Sequence, residues 1–355
     1  MEKIKRFIEC LIPITVCNLR CSYCYVAQEN GKTNKMPEFQ YGIKTIAKAL
    51  SKKRLGGCSY ISICGAGETL MPFEIVGITH SLLENSHYVN LTNNGTQTER
   101  INQILDVSLE YRSRLHFAFS FHYLELKKNN LLDIFFENIK KVKAAGCSFL
   151  VQFNMCDEYV PYLDEMYDIC IKEVGAPPQI AVTRDVTNLK EIKLLTALSK
   201  EEYKELGRKF DSPLFDFTLQ NFMVKRQEYC YAGKWSGVLN LATGELRRCY
   251  SDPSPQNIFA DTSKPIVFQA MGKSCVLAYC INSSHFMSLG VIPFKRSPTY
   301  ASLRNRQSAQ WYSAKMQKFL SGKLIYSNLN LSFCFDLVAQ IINRIYRKKR
   351  LTGLH

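Results

Sequence analysis

Three cysteines stand close together near the start of the chain, in Cys17-Asn18-Leu19-Arg20-Cys21-Ser22-Tyr23-Cys24-Tyr25. Three thiolates at this spacing can hold three irons of a cubane cluster and leave the fourth iron open to a chelating ligand. Thiolate is also the soft donor that iron–sulfur clusters take. A structural zinc site wants four closed ligands and more often shows paired cysteines two residues apart, so zinc is the weaker reading here. A second set follows much later. Cys230-Tyr231-Ala232-Gly233 precedes a hairpin-like stretch whose turn is Asn240-Leu241-Ala242-Thr243-Gly244, and Cys249 closes it. Cys275 and Cys280 come next, with four residues between them. Two distant pairs pinching a hairpin make a four-thiolate site, which an iron–sulfur cluster or a zinc ion could take.

The elements that must position these groups read as alternating strands and helices. Phe7–Val16 is apolar and suits a buried strand that ends at Cys17. Strand-like runs recur at Tyr60–Cys64, His87–Leu91, Leu115–Phe121, Ser148–Asn154 and Gln179–Thr183. Helical spacing appears between them at Tyr41–Leu50, Phe73–Leu83, Leu131–Ala145 and Leu163–Val174. Repeated βα units of this length predict a parallel sheet with helices outside, open or closed into a barrel. Each loop at the C-terminal end of a strand is then a wall of the candidate site. After about Thr187 the pattern changes: a charged helical stretch is expected over Leu189–Phe210, with Pro213 as a break. Tyr229–Cys280, rich in turns and cysteines, reads as a small module nucleated by metal. Helical character returns from Trp311 to Arg350.

With 46% hydrophobic and 22% charged residues, the 355-residue chain can bury a core, which excludes wholesale disorder. The formal charge of +15 favours anionic partners without choosing among nucleic acid, acidic or phosphorylated substrates and anionic membranes. No run reaches the ~18 apolar residues of a membrane span, and no signal-peptide pattern opens the sequence. A cytoplasmic, reducing setting is therefore expected, in which the clustered cysteines among the 14 serve metal ligation rather than disulfides. Cys10, Cys58, Cys64, Cys147, Cys156 and Cys170 sit in apolar or helical settings and read as small buried hydrophobes.

Cys-x3-Cys-x2-Cys followed by an aromatic, in the first βα loop, resembles the signature of the radical S-adenosylmethionine (SAM) superfamily. The resemblance implies a [4Fe–4S] cluster on Cys17, Cys21 and Cys24 whose free iron chelates SAM, with Tyr25 near the adenine. It implies reductive cleavage to methionine and a 5′-deoxyadenosyl radical, fed by a low-potential donor such as flavodoxin or ferredoxin. Gly65-Ala66-Gly67-Glu68-Thr69-Leu70 is similar to the family's Gly-Gly-Glu-Pro turn, with Ala66 replacing a glycine and Thr69 the proline. Gly65, Gly67 and Glu68 would then receive the methionyl ammonium. Leu91-Thr92-Asn93-Asn94-Gly95 resembles the family's Thr-Asn-Gly turn, and Asn94, Ser120, Gln152 and Asn154 fall where members hydrogen-bond the ribose and carboxylate.

The later cysteine set resembles the auxiliary-cluster modules called SPASM and twitch. The shortened form, with one auxiliary [4Fe–4S] cluster, fits the cysteine count better, and zinc remains the competitor. The expected architecture is α/β: a partial (β/α)6 TIM-like barrel over 1–215, a cysteine-rich module over 226–285 and a helical tail over 300–355. The substrate would be a sugar-like small molecule or a peptide or protein, anionic groups being compatible with the charge. A metal-bound, non-catalytic barrel that binds an anionic partner is the alternative. In the tail, Leu337, Val338, Ile341, Ile342 and Ile345 repeat at helical spacing before Arg347, Lys348, Lys349 and Arg350. That pattern predicts a docked terminal helix with cations at its C-terminus. Contact with an anionic membrane surface is the second reading.

Overall fold

The structure, a computed structural model, describes residues 2–28, 33–188, 192–273, 275–293 and 295–329. Six strands carry the first half: β1 (Arg6–Ile12), β2 (Ser59–Gly65), β3 (Tyr88–Asn93), β4 (Leu115–Ser120), β5 (Ser148–Met155) and β6 (Gln179–Val182). They pair in sequence order and all in parallel. Parallel pairing obliges each connection to cross back over one face, and helices such as Glu74–Glu84, Thr98–Val107, Leu132–Ala144 and Leu163–Val174 make those crossings.

The register explains which face is which. Ile8, Cys10, Ile61, Ile63, Val89, Leu91, Phe117, Phe119, Phe149 and Val151 share the outer face, and all are buried against the helices. Helix Leu132–Ala144 answers with Phe135, Phe136, Ile139 and Val142, each such burial stabilising the fold by about 1.5–3 kcal/mol. The alternate positions, Glu9, Ser62, Asn90, His116, Ser120 and Gln152 among them, face the concave side and are mostly polar. A polar inner face on a sheet with an apolar outer face marks the lumen as the functional side.

The sheet is open, which makes the expected six-stranded partial barrel the observed α/β architecture. A short ribbon of β7 (Arg184–Asp185) and β8 (Lys193–Leu194) lies apart from it. On the other edge the sheet continues. β9 (Ser236–Asn240) pairs in parallel with β1, β10 (Glu245–Arg247) pairs antiparallel with β9, and β11 (Gln256–Asn257) follows. The turn between β9 and β10 has Gly244 at φ +80, a conformation glycine adopts without strain. The cysteine-rich segment is thus more regular than its turn-rich sequence implies, because its strands borrow their partner from β1.

Two local expectations are corrected. Of the charged stretch, the described helix is Lys200–Arg208, opened by a Ser199/Glu202 capping box. Pro213 starts a helix rather than only breaking one: it heads Pro213–Asn221, where its missing N–H costs nothing. Of the tail, helices Ala314–Leu320 and Leu324–Asn328 are described. The expected amphipathic and basic stretch from Leu337 to Arg350 lies outside the described residues. No helix among the described residues is long and apolar enough to cross a membrane.

Candidate active site at the mouth of the barrel

Beyond Ile12 the chain runs beside the turn that ends β2. The Ala66 and Gly67 N–H groups donate to the carbonyls of Ile12 (3.3 Å) and Ile14 (2.6 Å), and the Glu68 N–H donates to Val16 (2.8 Å). A Cβ on Gly67 would lie 2.2 Å from the Val16 carbonyl oxygen, so the approach requires glycine. This clamp sets Cys17 against the Gly65–Glu68 turn. Glu68 is buried, and its two oxygens accept from the N–H groups of Leu70 and Asn94, each at 2.9 Å. Burial pushes its carboxyl up to about 7, the two amides pulling the other way.

Glu68 therefore joins the end of β2 to the end of β3. The Asn94 side chain donates to Asn18 at 2.8 Å and approaches the Cys17 sulfur at 3.9 Å. Asn18 in turn donates to Thr96 at 2.9 Å. The rest of the cysteine loop is held from the segments that follow β4 and β5. The Arg20 N–H donates to Glu125 (2.6 Å), and the buried Tyr23 hydroxyl sits between His122 Nδ1 (2.6 Å) and the Tyr159 hydroxyl (2.9 Å). Cys21 is buried while Cys17 and Cys24 are part-exposed. Burial pushes the Cys21 thiol up to about 12, with the neighbouring Cys17 and Cys24 adding to the effect. A metal would have to displace that proton on binding. Three soft donors on one loop, two of them part-exposed, suit a thiolate-bound iron–sulfur group.

The lumen wall continues from this loop. Ser120 lies opposite Gln152 in register, and Asn154 lies opposite Ala181. All three side chains are half-buried, and none makes a hydrogen bond among the described residues. A row of unused hydroxyl and amide groups at a cavity mouth can bind a polar ligand. Tyr25, 47% exposed, begins a short helix after Cys24. The nearby Cys64 pushes the Tyr25 phenol up. Cys64 itself is part-exposed and lies on the lumen face of β2, unlike the other five cysteines read as packing residues, which are buried.

The second cysteine set also converges. Cys230, Cys249, Cys275 and Cys280 all line one cavity, with Tyr250, Met271, Asn282 and Phe286 among its walls. Burial, then charge coupling to Cys249 and Cys275, pushes the Cys230 thiol up to about 12. Cys280 is raised for the same reasons, its coupling running to Cys249, Cys230 and Cys275. Among the described residues no three His, Cys, Asp or Glu side chains close tightly enough for a single metal ion.

Three participants escaped the sequence reading. Glu9, Tyr250 and Asn282 meet in the lumen, Asn282 Nδ2 donating to both Glu9 oxygens at 2.9 and 2.8 Å. The signal was present, since a carboxylate in the apolar run Phe7–Ile12 has no packing reason to be there. The support of Tyr23 by His122 and Tyr159 had no such signal, because its partners are distant in sequence.

No protein-family model and no curated protein matches the sequence. Solved structures do match. Streptococcus suis SuiB bound to S-adenosylmethionine aligns with TM-score 0.52 and 17% identity over 72% of this chain and 64% of that one. SuiB bound to its precursor peptide SuiA gives 0.52 and 16% over 74% and 64%. anSMEcpe with bound AdoMet, another name for SAM, gives 0.52 and 15% over 72% and 76%. The chain thus spans about 64% of the length of SuiB. These neighbours are radical SAM enzymes, and the open parallel barrel built here from β1–β6 is their fold.

Proposed function

We propose that this chain is itself a radical SAM enzyme, acting on a peptide or a sugar-like small molecule. One observation carries the reading: the three-cysteine loop, the Gly67–Glu68 turn and the unused polar row of β4 and β5 share one mouth of the barrel. In this reading Cys17, Cys21 and Cys24 hold a [4Fe–4S] cluster. When bound, that cluster supplies the electron that cleaves SAM to methionine and a 5′-deoxyadenosyl radical, which takes hydrogen from substrate. Gly65 and Gly67 let the turn backbone approach the methionyl ammonium. Glu68, with both oxygens already accepting backbone N–H groups, shapes that turn and keeps Asn94 beside Cys17. Ser120, Gln152 and Asn154 take the ribose and carboxylate, and Tyr25 covers the adenine.

Cys230, Cys249, Cys275 and Cys280 hold an auxiliary [4Fe–4S] cluster, in a module over 226–285 beside a core over 1–215. A low-potential donor such as flavodoxin or ferredoxin delivers electrons. A reducing cytoplasm is the setting in which so many free thiols persist.

Anaerobic reconstitution with iron and sulfide, then an assay for 5′-deoxyadenosine from SAM under dithionite, tests this reading. The wild type is expected to form it and the Cys17/Cys21/Cys24→Ala triple variant to form none. Equal product from both would leave a metal-bound scaffold as the better description. Metal analysis tests the second site: about eight irons per chain for two clusters, against about four plus one zinc.

A further inference from the structure

We propose that Glu9 is the specificity-determining residue of the lumen and that it accepts the primary ammonium group of an amine-bearing substrate. The inference rests on the enzyme reading above for taking the lumen as a reaction chamber. The placement of Glu9 is independent of that reading.

Glu9 sits midway along β1 on the lumen face, flanked in register by Ser62 of β2 and Val238 of β9. Both flanks are neutral. Its carboxylate is 6% exposed and is held by neutral donors, the Asn282 amide and the Tyr250 hydroxyl. No cation lies within ion-pair distance of it among the described residues. Arg184 and Arg304 act only from further away, and each gives a guanidinium N–H to a backbone carbonyl, of Ile281 (3.2 Å) and Ser284 (3.0 Å). Burial disfavours the ionised form of Glu9, the Tyr250 and Asn282 hydrogen bonds and the more distant Arg304 and Arg184 pulling the other way, so a cation brought within contact by a ligand would complete the site.

The position is also the right one. Glu9 is coupled electrostatically to Tyr25 and Cys64 on the side of the first cysteine set, and to Cys249 on the side of the second. Its two partners, Tyr250 and Asn282, themselves line the cavity that the four later cysteines share. A substrate held by Glu9 would lie between the two thiolate sets. A primary ammonium satisfies the site best, because it supplies the missing charge and donates charge-assisted hydrogen bonds in one group. Arg304 and Arg184 act on Glu9 only from a distance, so at contact range the lumen wall around it offers an acceptor.

Such a group can come from an amino sugar or from a lysyl side chain, and the test separates them. Reconstituted wild type and Glu9→Gln, matched in iron content and circular dichroism, are titrated by calorimetry in the presence of SAM. The probes are glucosamine and Nα-acetyl-lysine amide, each against its N-acetylated counterpart. The wild type is expected to bind at least one free amine about tenfold more tightly than its acetylated form, and Glu9→Gln to lose that preference. Preference in the glucosamine arm points to an amino sugar, and preference in the lysine arm to a peptide. No preference for either amine in the wild type would overturn the inference, as would a preference that survives in Glu9→Gln. If the variant does not fold, Glu9→Asp, which keeps the charge and shortens its reach, takes its place and is expected to weaken the preference. Binding is read without turnover, so amine preference with no 5′-deoxyadenosine would defeat the enzyme reading alone. The reverse result would defeat the Glu9 inference alone.

Discussion

At the residue scale the site depends on close backbone approach more than on reactive side chains. Gly67 is the clearest case, since any Cβ there collides with the Val16 carbonyl one residue before Cys17. Gly67→Ala should therefore push the cysteine loop away from the β2 turn. The expected loss is about 1–3 kcal/mol of stability, together with a fall in iron retained after reconstitution, both measurable on one preparation. Ala66, by contrast, shows that the neighbouring position tolerates a side chain. The need for glycine at Gly67 was readable from its motif, but its cause was not: the atom it must avoid belongs to another strand's end.

At the element scale, strand ends and helix starts are joined by shared side chains. Ser212 is buried, accepts the N–H of Ile180 in β6 at 3.0 Å and that of Phe215 at 3.3 Å, and donates to Gln179 at 2.6 Å. It caps helix Pro213–Asn221 and secures the last barrel strand at once. Ser212→Ala is expected to cost about 2–3 kcal/mol in urea unfolding, more than an ordinary cap, because the Ile180 amide would be left buried without a partner. The sequence shows Ser-Pro as a helix opening, yet Pro213 read as a break because the helix that follows is short and its apolar residues Phe215, Phe217 and Leu219 alternate with polar ones. For the long crossings the periodicity was enough: Leu163–Val174 matches its expected bounds, and Leu132–Ala144 falls within one residue of them at each end. Their buried stripes are set by the sheet they cover, so pattern and packing agree.

At the scale of the whole molecule, β9 fuses the cysteine-rich segment to the barrel through β1, so one sheet carries both thiolate sets. Several histidines are buried in this body as neutral rings. His87 accepts from the Ser59 N–H at 3.1 Å and pairs with the Leu50 carbonyl at 2.8 Å, and burial lowers it from 6.5 to about 4. Between those values the unfolded chain binds the proton that the folded chain refuses. Stability is therefore full above pH 6.5 and falls as pH drops toward 4, by about 1.4 kcal/mol per pH unit for each such proton. His87→Gln is expected to make this decline shallower by about one proton's worth when stability is followed by urea unfolding across that range. An unchanged slope would show that His87 does not carry it.

What the sequence determined by itself was local: the cysteine spacings, the Gly67–Glu68 and Asn94–Gly95 turns, and the alternation of apolar runs that makes a parallel sheet. Each follows from neighbours within a few residues, where spacing dictates geometry. Tertiary structure alone decided which groups meet. Only the register of β1 with β2 and β9 puts Glu9 on the lumen face, and only the packing of the later segment brings Tyr250 and Asn282 to it. The four later cysteines, spread from Cys230 to Cys280, likewise share a cavity because β9 pairs with β1. Such contacts join residues tens to hundreds of positions apart, and no local period records them.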